Sequence, residues 1–203
     1  MTSPSRPTGR RNGNRRSELL DLAAELFAEN GLKSTTVRDI ADAAGILSGS
    51  LYHHFDTKET MVDEILREFL DELFGSYREI VASNADARER LEALVATSFD
   101  AIDRHHAAVA IYQAEAPKLA AQERFSYIDA RNAEFRGLWK DVLTEGVTSG
   151  VFRSDLDVEL VFRFLRDTVW VAVRWYRPGG SLTAETVARQ YLAVVLHGIT
   201  ADT

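Results

Sequence analysis

Residues 35–61 read TTVRDIADAAGILSGSLYHHFDTKETM, two short amphipathic segments joined at Gly45. The Thr36 hydroxyl can cap a helix with Asp39 three residues on, and Val37, Ile40, Ala41 and Ala44 recur at three and four as one apolar face. After the Gly45 turn, Leu47, Leu51 and Phe55 read inward, leaving Ser48, Ser50, Tyr52 and His53 outward. Asp56, with Glu59 as its capping-box partner, is expected to open a long helix to about Ala82 through Met61, Ile65, Phe69, Leu73 and Ile80. Two short helices around a glycine turn suit a helix-turn-helix, whose second helix fits the major groove. Its outward hydroxyls, phenol and imidazole can bond phosphates and base edges.

Upstream, a helix from Arg15 to Asn30 buries Leu19, Leu22, Ala23, Leu26 and Phe27, and Gly31 supplies a left-handed stop. Downstream, helical periodicity covers residues 86–104, 107–120, 123–149, 156–176 and 184–199, with breaks at Asn84, Pro117, Gly150 and Pro178-Gly179-Gly180. No stretch alternates with period two, so the chain reads as all-α with about nine helices. Three segments follow: a basic arm over 1–14, expected to be flexible, a helix-turn-helix domain over 15–58, and a helical body over 59–203.

The net charge of −7 is unevenly spread. Arg6, Arg10, Arg11, Arg15 and Arg16 open the chain without an acid among them. Residues 1–58 hold 8 basic and 7 acidic residues, which leaves 16 basic and 24 acidic in the rest. A basic arm on an acidic body suits a DNA binder whose body must stay off the phosphates. The same arm would also serve as a solvated tail. Cysteine is absent, which excludes disulfides, thiol nucleophiles and cysteine-ligated zinc. No apolar run approaches the roughly 20 residues of a membrane span. Together these point to the cytoplasm, with no membrane partner.

Nothing in the sequence builds a catalytic or metal site. His53-His54 and His105-His106 are adjacent pairs, and helix neighbours diverge by about 100°, so neither makes a chelate. No glycine-rich phosphate loop follows a strand. A helical adaptor that does not bind DNA remains the other non-enzymatic alternative.

The segment 35–61 resembles the signature of TetR-family regulators, matching at Thr35-Thr36-Val37, Ile40-Ala41, Ala44-Gly45, Leu51-Tyr52-His53-His54-Phe55 and Lys58-Glu59. The resemblance implies a homodimer on a pseudo-palindromic double-stranded operator, a small-molecule inducer, and a C-terminal ligand-binding and dimerisation domain. It also implies DNA contacts from Thr36, Ser48, Ser50, Tyr52, His53 and Lys58, the last on a phosphate. The family often has Ser or Thr where this chain has Leu47, which leaves open a cap shifted to Ser48 and which of Ser48 and Ser50 meets bases. Packing inside the head is the alternative role for Tyr52 and His54.

In the body, Val161, Phe164, Leu165, Thr168, Val171, Ala172 and Trp175 share one helix face, and Val187, Tyr191, Val194, Val195 and Ile199 another. These suit a four-helix dimer interface. Arg163, Arg166, Asp167, Trp170, Arg174 and Arg177 form a cationic stripe around a tryptophan. Either Arg163 and Asp167 pair in an ion-laced surface, or the stripe walls a pocket for an anion with a flat apolar part, guanidiniums forking onto phosphate and indole on a ring. A narrower resemblance, carried by Ile46 to Phe55, FSYIDARN at Phe125 to Asn132 and RDTVWVAVRWYRPGG at Arg166 to Gly180, is to the Kst-type repressors of sterol breakdown. It implies no cofactor and, as inducer, a coenzyme A thioester of the indanedione propionate left from sterol rings C and D, held by Arg166, Trp170 and Arg174. Control of fatty acyl-CoA metabolism or of efflux is the alternative within the same family.

Overall fold

The computed structural model describes residues 9–199, with side chains from Arg15 onward. These residues are helical with no β-sheet, and the chain divides into two units after Glu68. The helix pattern of the sequence set that division after Lys58, at the start of the fourth helix rather than within it.

The first unit holds α1 (Gly9–Asn30), α2 (Val37–Ala43), α3 (Ser48–Tyr52) and the first turns of α4 (Lys58–Val81). Residues 1–8 of the basic arm, Arg6 among them, lie outside the described residues. Gly9 to Asn14 extend α1 instead of forming a free arm, with no proline after Pro7 to break the helix. Leu19, Phe27, Ile40, Leu51, Phe55 and Met61 are buried together as the core of this unit. Thr36 and Asp39 form the expected capping box on α2: Thr36 Oγ1 accepts from the Asp39 amide at 3.2 Å, and Asp39 Oδ2 accepts from the Thr36 amide at 2.7 Å. The Thr36 hydroxyl, which also donates to Asp39, holds that carboxyl below its ordinary value. Gly45 sits at φ 65° in the turn. Two details differ from the sequence pattern. Thr57, not Asp56, caps α4, its hydroxyl accepting from the Thr60 amide at 3.1 Å. Leu47 is the N-cap of α3 and points out, because its extended backbone (φ −71°, ψ 142°) takes its side chain off the face that Leu51 and Phe55 share.

The second unit holds the rest of α4, α5 (Ala87–Arg104), α6 (His106–Leu119), α7 (Tyr127–Thr148), α8 (Val158–Trp170) and α9 (Ala184–Ile199). α5 is the central helix, touching α6, α7, α8 and α9. Pro117 lies inside the last turn of α6 without ending it. Instead of running to residue 176, α8 stops at Trp170 and tightens into a 3₁₀ turn over Val171–Arg174. His106 holds the segment that follows: its Nε2 lies 3.0 Å from Val173 O and 3.2 Å from Tyr176 O, engaging two carbonyls that lack a partner in a helix ending there. In the core, the Tyr77 hydroxyl donates to Ser98 Oγ at 2.6 Å while Ser98 donates to Leu94 O at 2.7 Å, so a phenol with no exposed surface is satisfied. Burial raises its pKa above the ordinary phenol value. No described helix is long and apolar enough to cross a membrane.

Two glycines of α7 give opposite expectations. A Cβ on Gly146 would stand 2.1 Å from the buried Phe152 ring, whereas one on Gly137 would meet nothing within 4 Å. Gly146→Ala should destabilise by about 1–3 kcal/mol through overpacking. Gly137→Ala should stabilise by about 0.5–1 kcal/mol through backbone entropy. Chemical denaturation of the two variants beside wild type checks both signs; equal effects would show that the Phe152 contact is slack.

Candidate nucleic-acid interface and ligand pocket

In the first unit, buried Leu51 and Phe55 anchor α3, and its remaining side chains face out. Thr36, Ser50, Tyr52 and His53 are exposed, Tyr52 at 54 %. Ser48 and His54 are half-buried, the latter with its ring 6.4 Å from Phe55. Ser48 does not cap the helix, so no hydroxyl replaces the missing cap at Leu47.

Lys58 is placed differently from a free phosphate ligand. Its ammonium donates to Leu32 O and, at 3.1 Å, to Thr35 O, so two of its three donors hold the turn between α1 and α2. Buried Thr35 pins the same turn, its hydroxyl reaching Gly31 O at 2.9 Å and Leu26 O at 3.2 Å. Arg15 Nη2 donates to Ala44 O at 3.0 Å. Arg16 forks onto Glu64, with Nη2 to Oε1 at 2.6 Å, and stacks over Phe55 at 4.5 Å. The hydrogen bond to Glu64 raises the Arg16 pKa. Two arginines that look like arm charges in the sequence are thus braces of the head. Periodicity holds no signal for them, because their partners lie 29 and 48 residues away.

In the second unit, α4, α6, α7 and α8 line an aromatic cavity of about 70 Å³, walled by Phe69, Phe74, Tyr112, Phe135, Trp170 and Arg166. Trp170 meets Phe69 and Phe135 edge-on at 6.4 and 6.3 Å. The Tyr112 hydroxyl donates to Asn132 at 2.8 Å, and burial pushes its pKa up to about 12. Arg166 and Trp170 also line an outer groove of about 260 Å³ with Gln113, Asp167 and Arg174. All three ligand residues read from the sequence therefore meet at one place, although the 3₁₀ turn takes Arg174 off the α-helical face of the other two. The stripe's internal pairing differs from the expected one: Arg163 bonds Glu159 at 3.0 Å, and Asp167 takes Arg166 Nε at 2.6 Å. A wider groove between α5 and α9 is rimmed by Glu89, Glu92, Asp100 and Glu185, with Arg189 alone against them, the wrong sign for an anion.

The apolar faces of α8 and α9 divide. Leu165, Ala172 and Ile199 are core residues of their own unit. Phe164, at 65 % exposure, Val171 and Trp175 stand out on one side and Val194, at 77 %, on α9.

Two family profiles match the chain, "Bacterial regulatory proteins, tetR family" over residues 19–65 and "Tetracyclin repressor-like, C-terminal domain" over residues 84–199. The chain belongs to the TetR family, and it is a DNA-binding transcriptional repressor rather than an enzyme. It is 68 % identical over 199 residues to the HTH-type transcriptional repressor KstR2 of Rhodococcus jostii, covering 98 % of both chains. The solved structure of the ketosteroid transcriptional regulator KstR2 of Mycobacterium tuberculosis matches with a TM-score of 0.91 at 65 % identity, covering 93 % of this chain and 96 % of that one. AibR, solved in complex with isovaleryl coenzyme A and operator DNA, matches at 25 % identity with a TM-score of 0.76 over 89 % of this chain and 97 % of that one.

Two substitutions separate recognition from bracing. Tyr52→Ala should weaken operator binding at unchanged thermal stability, since the side chain is mostly exposed. Lys58→Met should lower stability by about 1–3 kcal/mol as well as affinity, because it strands two carbonyls. Melting curves beside gel-shift titrations check both, and a Lys58→Met protein of wild-type stability would return this lysine to a phosphate-only role.

Proposed function

We propose that the protein is a homodimeric, cytoplasmic repressor of sterol-catabolism genes, released from a pseudo-palindromic operator by a coenzyme A thioester of a sterol C/D-ring fragment. The observation that carries this reading is the convergence of Arg166, Trp170 and Arg174 where the aromatic cavity meets the outer groove. Guanidiniums at the groove suit phosphates, and an aromatic enclosure suits a fused ring. The names of the KstR2 relatives supply the sterol context, and AibR supplies a precedent for a coenzyme A thioester on this fold. The exposed Phe164, Val171, Trp175 and Val194 are the apolar surface that a second copy would cover.

Size supports the direction of the switch. A cavity of about 70 Å³ falls well below the roughly 300–1,000 Å³ of a drug-sized ligand site. A ring system enters only if Trp170 and its aromatic neighbours move apart, Phe69 and Phe74 of α4 among them. The thioester thereby prefers a different arrangement of α4 from the one in which the cavity is this small, and only such a preference shifts an equilibrium. In the DNA-bound dimer the two recognition helices stand about 34–36 Å apart, one turn of duplex.

Titrating preformed protein–operator complex with the thioester tests the pocket. Arg166→Met and Arg174→Met each remove a charged hydrogen-bonding fork of about 1.5–3 kcal/mol, so release should need roughly ten- to a hundredfold more thioester while ligand-free operator binding is unchanged. Trp170→Leu should lose about 1 kcal/mol of stacking on the ring and also some stability, because the indole is packed between Phe69 and Phe135. Release of both arginine variants at the wild-type concentration would place the sensor elsewhere.

A further inference from the structure

Leu47 departs from what the fold asks of its position in two ways. It is the N-cap of α3, where a side-chain oxygen would satisfy a free amide, and α3 has no side-chain cap. At 80 % exposure it is also the most exposed large apolar side chain among the described residues. Its backbone is an ordinary extended cap, so geometry does not require leucine there. A serine would serve the free protein better on both counts. Residues that break local rules without an internal gain mark places where an outside partner supplies the gain.

The partner at this position follows from the helix-turn-helix, and the argument rests on that reading. Leu47 begins the recognition helix, beside the exposed Ser50, Tyr52 and His53. An isobutyl group can accept no bond from a base and give none to a phosphate. The major groove offers a side chain of this kind one apolar group on the base edges, the C5-methyl of thymine. We infer that Leu47 is a specificity-determining residue, packing on one thymine methyl in each operator half-site. Its task differs from that of the hydroxyls around it, which carry polar contacts whichever bases they meet.

The test uses the full-length protein and an operator duplex enriched from a randomised pool by the wild type. Each thymine is replaced in turn by deoxyuridine, which pairs identically and lacks only the methyl. One symmetric pair of positions should weaken wild-type binding by about fourfold per half-site, the transfer value of a single buried methyl group. Leu47→Ala should lose a similar factor on the thymine duplex and nothing further on the deoxyuridine duplex. Leu47→Ser should show the same indifference to the methyl while melting at a higher temperature than wild type, because it restores the cap. Independent, additive losses from the demethylated base and from Leu47→Ala would overturn the inference, as would wild-type binding by Leu47→Ala. If the wild type enriched no duplex at all, the helix-turn-helix reading itself would fall, and this inference with it.

Discussion

The recognition helix is five residues long, and a helix of that length does not persist in water, because its nucleus fixes several dihedrals for a single hydrogen bond. The rest of the head can be understood as what holds it. Leu51 and Phe55 bury its inner face, and Arg16 stacks on Phe55 while forking onto Glu64. Lys58 and Thr35 lock the turn between α1 and α2, and Arg15 ties α1 to the end of α2. Every one of these contacts fixes backbone that would otherwise have to be ordered when DNA binds, so the ordering cost is met during folding. The outward residues are thereby left free for recognition.

The body meets a different constraint. Under the proposed function it must be closed enough to fold and open enough to be changed by a ligand. Trp170 expresses that tension: it is nearly buried against Phe69 and Phe135, yet it lies on the wall shared by the aromatic cavity and the arginine-lined groove. α4 supplies Met61 and Ile65 to the core of the head and Phe69 and Phe74 to the cavity. A change in how the cavity is filled therefore bears on the same helix that completes the head's core.

The sequence carried local information well and distant information poorly. The α2 capping box, the Gly45 turn, the order of the helices and the meeting of Arg166 with Trp170 all rest on residues close together in the chain, and all were legible. Leu47 was misread because a residue four before Leu51 lies inward only if both are helical, and an N-cap is not. The end of α8 was misread because the 3₁₀ turn leaves no mark in the periodicity, and His106, which holds the carbonyls there, lies far upstream. The bracing roles of Arg15, Arg16 and Lys58 were not legible, since charge pattern cannot show which carbonyl or carboxylate a long side chain will find. The steroid context came from likeness to a family, which physics alone would not have reached.

Because the chain has no cysteine, one introduced at the exposed Glu29 of α1 can carry a spin label without competition, and the distance between labels across a dimer reports the separation of the two heads. Measured by pulsed electron resonance, that distance distribution should shift when the sterol-fragment thioester is added, and should stay in place for the Arg166→Met protein at the same thioester concentration. Full release of operator by the thioester with an unchanged distribution would contradict control through the spacing of the heads.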